Sequence, residues 1–188
     1  MTTDQNQETF EKLMSAHHGR MIDFVKFAET KNAALLTFCS VWMAAVIGLL
    51  KSGTKLPFGY DRAVPVILVL LALAAFIALK SFLPRLLQEF HKAENGTKNL
   101  LFFGDIATMS AAAFRDKAKA QYSPEHGQAL SQAYIDDLLI QIAVQAQIAD
   151  RKFKAFKLGV GILFLAGIIA ALPAVWQLVK WIVSVGST

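Results

Sequence analysis

The chain has 188 residues, of which 55% are hydrophobic, and it carries a formal charge of +5 with a single cysteine. A soluble domain is about 45–50% apolar, so this excess indicates that part of the chain lies in lipid, and the remainder is too short for a large independent enzyme core. With Cys39 alone, an internal disulfide is excluded.

Three stretches of the chain contain no charged residue, over residues 32–50, 63–79 and 158–179. The hydrocarbon core of a bilayer is about 30 Å thick and needs about 20 helical residues to cross it. A backbone in lipid must satisfy its own hydrogen bonds, which favours helices. The sequence therefore predicts transmembrane helices over residues 32–51 (span 1), 63–83 (span 2) and 158–183 (span 3).

The segment before span 1, residues 1–31, begins with polar and acidic side chains. A signal peptide would have a basic start and a cleavage site of small residues, so we expect span 1 to be retained. Apolar side chains follow the i, i+3, i+4, i+7 spacing of one helical face. The pattern predicts one amphipathic helix that runs from about residue 6 through span 1 to about residue 51.

Turn residues divide the rest of the chain. Gly53 and residues 57–59 predict a short outer turn, and span 2 is expected to begin near Arg62 with Pro65 in its first turn. After span 2 we expect a polar helix over 85–94, a break at 94–97 and a helix from about 98 to 120. A final helix is predicted to start at residue 124, with Ser123 as its N-cap, and to run directly into span 3.

The two helices that lead into spans 1 and 3 both show a seven-residue apolar repeat, which is typical of a left-handed coiled pair. Because both run towards the membrane, their pairing is predicted to be parallel, either within one chain or between chains. The predicted seam positions are Phe10, Met14, His17, Met21, Phe24, Ala28 and Leu35 on the first helix, and Ile135, Leu139, Ile142, Ala146, Ala149, Phe153 and Phe156 on the second.

Basic residues set the expected orientation. Lys and Arg side chains are concentrated before span 1 and in residues 84–157, while span 3 is followed only by Lys180. By the positive-inside rule, the N-terminus and residues 84–157 are predicted to be cytoplasmic. The expected fold is an all-α, multi-pass protein of the bacterial inner membrane: three transmembrane helices with a cytoplasmic helical bundle inserted between spans 2 and 3.

Motifs of enzymes and metal sites are absent. The sequence has no GxxxxGK[ST] loop, no HExxH and no CxxC. The adjacent His17 and His18 point about 100° apart on a helix and do not form a chelating pair. Asp136 and Asp137 are interpreted as a solvated helix face. We therefore expect no catalytic activity, no metal and no cofactor.

The spans themselves offer two further signals. They lack ionisable side chains near mid-bilayer, which disfavours coupled transport. Small residues recur along span 3, and they either mark a surface for close packing of helices in an oligomer or reflect the ordinary frequency of such residues in lipid. These residues are Gly159, Gly161, Gly167 and Ala171.

Residues 99–122 contain groups that suit a small anionic ligand. Arg115, Lys117 and Lys119 could pair with a phosphate. Phe103 and Tyr122 could stack on a base. The polar candidates for reading a base edge are Asn99, Asp105 and Thr108. The alternative interpretation is that the basic trio is the solvated end of a helix, where cations favour the C-terminal dipole.

Three segments together resemble a known family. Residues 28–36 (AETKNAALL) are similar to the A-D-x-K-A-x-x-L-L lead-in to the first span of the transmembrane effectors of Pycsar antiphage systems. Residues 99–106 (NLLFFGDI) resemble that family's aromatic-Gly-Asp-Ile segment. Residues 134–156, with Gln141 and Lys152, resemble its helix leading into the last span. Glu29 and Asn32 depart from the usual Asp and Ala.

The resemblance implies an antiphage effector. It would sense a cyclic pyrimidine mononucleotide, cUMP or cCMP, made by a partner pyrimidine nucleotide cyclase, and would impair the inner membrane in abortive infection. The cytoplasmic region would be the sensor, with Arg115 or Lys119 meeting the phosphate. Membrane lipid and further copies of the chain are the other expected partners, and no nucleic-acid polymer is expected. The alternatives are a ligand-independent, holin-like pore-former and a scaffolding membrane protein.

Overall fold

A computed structural model describes residues 3–51, 53, 60–83, 98–124 and 131–185. These residues form helices α1 (Thr3–Lys51), α2 (Tyr60–Lys80), α3 (Phe103–Ile106), α4 (Ala111–Tyr122) and α5 (Gln132–Val185). No strand occurs in this described part. The expected all-α class is confirmed.

Three of these helices, α1, α2 and α5, are long and apolar enough to cross a membrane. The prediction of three membrane-spanning helices is therefore supported by length and composition. The prediction that the chain before span 1 continues into it without a break is also confirmed, because α1 is a single helix. In the same way α5 continues through Pro173 to Val185.

The predicted helix from 98 to 120 is wrong as a single element. The short helix α3 ends at Ile106, and α4 begins only after Ser110. Ser110 has an extended backbone, and its side chain accepts a hydrogen bond from the backbone N–H of Ala113 at 3.2 Å. Ser110 is therefore the N-cap of α4, so a new helix begins after it, and it does not lie within one continuous helix from 98 to 120.

The predicted restart at Pro124 is also wrong. Ser123 is the C-cap of α4: its N–H donates to the carbonyl of Lys119, and its ψ is 129°. A residue before proline favours this extended conformation, so Ser123 and Pro124 end one helix instead of starting the next. The following helix begins at Gln132, where the carbonyl of Ser131 accepts from the N–H of Tyr134 at 3.2 Å.

Other predicted features are shifted or untested. Helix α2 begins at Tyr60, so Pro65 lies in its second turn rather than its first. The predicted helix over 85–94, the break at 94–97 and the outer turn at 57–59 lie outside the described residues. Gly53 has a φ of 68°, a conformation that glycine adopts without strain.

The chain divides into two compact units. Unit 1 comprises Met1–Phe27 and Pro84–Asp150, and unit 2 comprises Ala28–Leu83 and Arg151–Thr188. The first and last helices, α1 and α5, contribute residues to both units.

The core of unit 2 is built from α1, α2 and α5. Leu35 and Cys39 of α1 pack with Ile67 and Leu71 of α2, and the part of α5 from Phe156 to Ala170 packs against this cluster. Contacts between α1 and α5 advance together along both helices, from Glu29 with Lys152 to Leu35 with Gly159. The two helices are therefore parallel, as predicted from their common direction towards the membrane, and the structure shows this pairing within one chain, which the sequence had left open.

Part of the predicted seam is exposed rather than buried. Phe10 and Phe24 are 43% and 49% exposed, and Leu139 is 38% exposed. On α1 the buried positions are Ala28, Asn32, Leu35 and Cys39. Two adjacent lines on α1 have heptad spacing, and of these Ala28 and Leu35 are buried, with Leu35 packed close to Gly159 of α5.

Candidate functional site

Asp137 is the centre of a buried polar network in unit 1. It is 1% exposed, and one carboxylate oxygen accepts hydrogen bonds from the Tyr122 hydroxyl and from Nε2 of Gln121, the latter at 3.0 Å. The backbone N–H of Leu100 also donates to this carboxylate. The carboxylate therefore joins the turn at residue 100 and the end of α4 to α5.

Asn99 holds the other side of the network. It is fully buried, and its Nδ2 donates to the backbone carbonyl of Asp137 at 3.1 Å. Its Oδ1 accepts from the N–H of Leu101 at 2.9 Å, and its own N–H donates to Oδ2 of Asp105 at 3.1 Å. Every polar group of this side chain is used, which fixes the turn before α3 against α5.

Thr108 extends the network to the break between α3 and α4. Its hydroxyl donates to the carbonyl of Asp105 at 2.7 Å and accepts from Nζ of Lys98 at 2.8 Å. The structure thus joins four of the predicted ligand residues through hydrogen bonds: Asn99, Asp105, Thr108 and Tyr122.

The remaining candidates lie on the surface of unit 1. Phe103 is 66% exposed and packs edge-on against Phe102, with ring centroids 4.9 Å apart. Arg115 forms an exposed ion pair with Asp116 at 2.8 Å, and Lys117 and Lys119 are exposed. Helical spacing places Arg115 and Lys119 on the same side of α4 as Tyr122, whereas Lys117 points elsewhere.

Burial determines the electrostatics of the network. Removal from water raises the pKa of the Asp137 carboxyl, although the hydrogen bonds from Tyr122 and Leu100 act in the opposite direction. Burial and the nearby carboxylate raise the pKa of the Tyr122 hydroxyl, which therefore keeps its proton as the donor. A buried ionisable group with a shifted pKa is typical of a functional site.

The interpretation of Asp136 and Asp137 as a solvated face holds for Asp136, which is exposed, and is wrong for Asp137. A sequence signal was present: Asp137, Gln141, Val144 and Ile148 have helical spacing and form a second stripe beside the heptad seam. Two members of this stripe, Asp137 and Gln141, are polar, so the pattern does not predict a buried face of the helix.

Gln141 lies one turn after Asp137 and is 3% exposed. Within the part of the chain that the structure describes, its Nε2 has no hydrogen-bond partner. A groove of about 210 Å³ lies elsewhere in unit 1, lined by Gln7 and Phe10 of α1 and by Ser131, Gln132, Ile135 and Leu139. That volume is below the roughly 300 Å³ at which pockets for drug-sized ligands begin.

A second polar cluster lies in unit 2, centred on Lys152 of α5. Its Nζ is 3.0 Å from the Glu29 carboxylate of α1 and donates to the carbonyl of Ser81, just past α2, at 2.9 Å. Asn32, fully buried, donates from Nδ2 to the backbone carbonyls of Ala28 and Lys152, at 2.8 and 3.0 Å. We call this set of residues, Glu29, Asn32, Ser81 and Lys152, the three-helix node.

The described residues contain no group of three or more His, Cys, Asp or Glu side chains placed to hold a metal ion. The two clusters of unit 1 and unit 2 are instead hydrogen-bond networks, which can bind or reposition polar groups.

Comparison with known proteins gives two matches. Residues 13–180 match the family described as the Pycsar effector protein domain. The chain is also similar to the Pycsar effector protein RsPycTM of a Rhizobium species, with 46% identity over 171 residues, which are 91% of this chain and 98% of that protein. No solved structure matches the chain.

Proposed function

Because this chain belongs to the Pycsar effector family, a membrane-protein family of antiviral defence, we propose that it senses a cyclic pyrimidine mononucleotide, cUMP or cCMP. A partner pyrimidine nucleotide cyclase supplies this signal during phage infection. On binding it, the chain impairs the inner membrane and causes abortive infection. The protein acts as a binding and switching device rather than as an enzyme.

The observation that carries this proposal is the buried Asp137 in unit 1. A carboxylate that is 1% exposed and hydrogen-bonded by groups from two other segments is costly to bury, and such groups are typical of sites that bind or switch. It lies in the part of α5 before the uncharged stretch of residues 158–179.

We place the nucleotide between this network and the basic side of α4. Arg115 and Lys119 meet the phosphate as cations with several donors, and Lys117 adds to the local positive charge. Lys119 is three residues before Tyr122, which is roughly 4.5 Å along the helix axis. This spacing suits a small ligand whose anionic group lies at Lys119 and whose base lies towards Tyr122. The polar residues around the base are then Asn99, Asp105 and Thr108. The exposed Phe103 is available to stack on the ring of the base.

The output requires a population shift. A ligand must bind one arrangement of the helices better than the other, and moving the equilibrium from 1:99 to 99:1 takes about 5.5 kcal/mol of differential binding. A homo-oligomer in the inner membrane reaches this differential binding energy by adding a smaller contribution from each of several ligand sites. In this arrangement the N-terminus of each chain is cytoplasmic. Because α1 and α5 each contribute residues to both units, each of these two helices continues unbroken from the sensing part of the chain into its apolar part.

The test is expression of the chain with and without a pyrimidine nucleotide cyclase, followed by growth and dye entry. We expect growth arrest only with the cyclase. The double variant R115A/K119A should insert into the membrane yet lose this response, while R151A, which removes an exposed charge from α5, should keep it.

Three outcomes contradict the proposal or its site. Toxicity without any cyclase indicates a holin-like pore-former, and no toxicity in either strain indicates a scaffolding protein. An unchanged response of the double variant rejects the phosphate contact at α4.

A further inference from the structure

Gln141 is a buried donor for which the described residues offer no acceptor. The side chain is 3% exposed, and among the described residues its Nε2 has no hydrogen-bond partner. Nearly all buried polar groups in proteins are paired, because an unpaired one loses its hydration without compensation. This amide is therefore suited to pair with a further group, such as a ligand or an ordered water.

The orphan amide lies beside the buried carboxylate. Asp137 and Gln141 are separated by four residues on α5, so their side chains lie on one face of the helix, about 5–6 Å apart at Cβ. The Asp137 carboxylate accepts from two side-chain donors and one backbone N–H, namely Gln121, Tyr122 and Leu100. A ligand N–H can replace a side-chain donor at this oxygen without leaving it unpaired.

The two groups form a donor next to an acceptor. A pyrimidine base presents the complementary pattern: uracil offers a ring carbonyl beside its ring N–H, and cytosine offers an acceptor beside its exocyclic amino group. Carboxylates accept from the amino group of cytosine, and side-chain amides pair with adjacent donor and acceptor atoms of bases. The chemistry that uracil and cytosine share, an acceptor beside an N–H, is the one this pair would recognise.

We infer that Gln141 and Asp137 are the base-reading residues of this sensor. Gln141 Nε2 donates to an acceptor on the pyrimidine edge, and Asp137 accepts from the neighbouring N–H in place of Tyr122 or Gln121. This inference rests on the proposed function and deepens it. It also explains how binding reaches the fold, since the base breaks a bond that ties the end of α4 to α5.

The test uses the full-length chain purified in detergent and measures its thermal unfolding with cUMP and with cCMP. The variant Q141L keeps the size of the side chain and removes the orphan donor. We expect its Tm without nucleotide to equal or exceed that of the wild type, because an unpaired polar atom is gone. We expect its Tm shift with cUMP or cCMP to disappear, which corresponds to binding weakened at least 10-fold.

Two further variants sharpen the result. Q141E is nearly isosteric and offers an acceptor where a donor is required, so it should also lose the nucleotide shift and covers the case in which Q141L does not fold. Q145L changes a partly buried glutamine one turn later and should keep the shift.

Each other result has a distinct meaning. If Q141L gains stability but keeps the full nucleotide shift, the orphan donor holds only a water, and the inference is rejected. If Q141E alone folds and binds as the wild type does, the inference is rejected as well. If the wild type gives no shift with cUMP or cCMP, the proposed function itself fails, and the inference with it.

Discussion

Among the described glycines of unit 2, Gly159 is the one at which an added Cβ would make the closest contact. A Cβ there would lie 2.6 Å from Cδ2 of Leu35 on α1 and 3.6 Å from the carbonyl oxygen of Ala74 on α2. Carbon atoms in contact are ordinarily about 3.5–4.0 Å apart, so Leu35 must retreat by roughly 1 Å. Leu35 is 4% exposed and packed into the core of the unit, which leaves it little room.

The expected cost of G159A follows from two opposing terms. Overpacking a filled site destabilises by about 1–3 kcal/mol, and replacing a helical glycine by alanine stabilises by about 0.5–1 kcal/mol. Gly161 supplies the matched control, because nothing lies within 4 Å of a Cβ built there. The gain in helix stability from replacing glycine by alanine is common to both variants. The difference between the unfolding free energies of G159A and G161A therefore measures the cost of overpacking, about 1–3 kcal/mol.

The assay is the free energy of unfolding in mixed micelles, titrated with a denaturing detergent and followed by circular dichroism. The double variant L35A/G159A tests the cause, because shortening Leu35 removes the clashing carbon. Its loss of stability should be smaller than the sum of the two single losses, since residues in contact are not additive. Equal stabilities of G159A and G161A, or strict additivity with L35A, would refute the close approach of α1 and α5.

Two further predictions concern the polar clusters. The variant K152M should lower the free energy of unfolding by about 2–3 kcal/mol. The hydrogen bond from the charged Nζ to the carbonyl of Ser81 contributes about 1.5–3 kcal/mol. The ion pair with Glu29, which is 44% exposed, adds less than about 1 kcal/mol. The exposed K157M should change it by less than about 0.5 kcal/mol, and equal effects of the two would contradict the three-helix node. For Asp137, the raised pKa means that its contribution to stability is fully present below the ordinary carboxyl value of 3.8 and is lost as pH rises through the raised value. The unfolding free energy of the wild type should therefore fall relative to that of D137N as pH rises above 3.8, and parallel pH profiles of the two in denaturant titrations would exclude a raised pKa.

The features that local sequence determines came out as predicted. The three apolar helices follow from stretches without charge, and the unbroken α1 follows from a continuous helical period with no proline. The family could also be identified from short segments in the right order. Such features depend on each residue's own cost in lipid and on its neighbours in the same helix.

Prediction of the candidate site depended more on contacts between residues that are distant in the chain. Asn99, Asp105, Thr108 and Tyr122 are candidates because polar and aromatic side chains gather in one short segment; the structure joins them through hydrogen bonds, and their contact with a ligand stays a prediction. Asp137 was assigned to the solvent because it follows another aspartate in a helix of mixed character. Only its distant neighbours on α4 and at residue 100 show that it is buried.

By itself the sequence determined the three long helices that are apolar enough to cross a membrane, because backbone hydrogen bonding and transfer into lipid are properties of each segment. The tertiary structure alone decided which of two heptad lines on α1 faces α5, where Ser110 and Ser123 divide the chain, and which aspartate of an adjacent pair is buried. Those choices depend on what lies opposite, a glycine for Leu35 and a tyrosine for Asp137, and these partners lie on other segments of the chain.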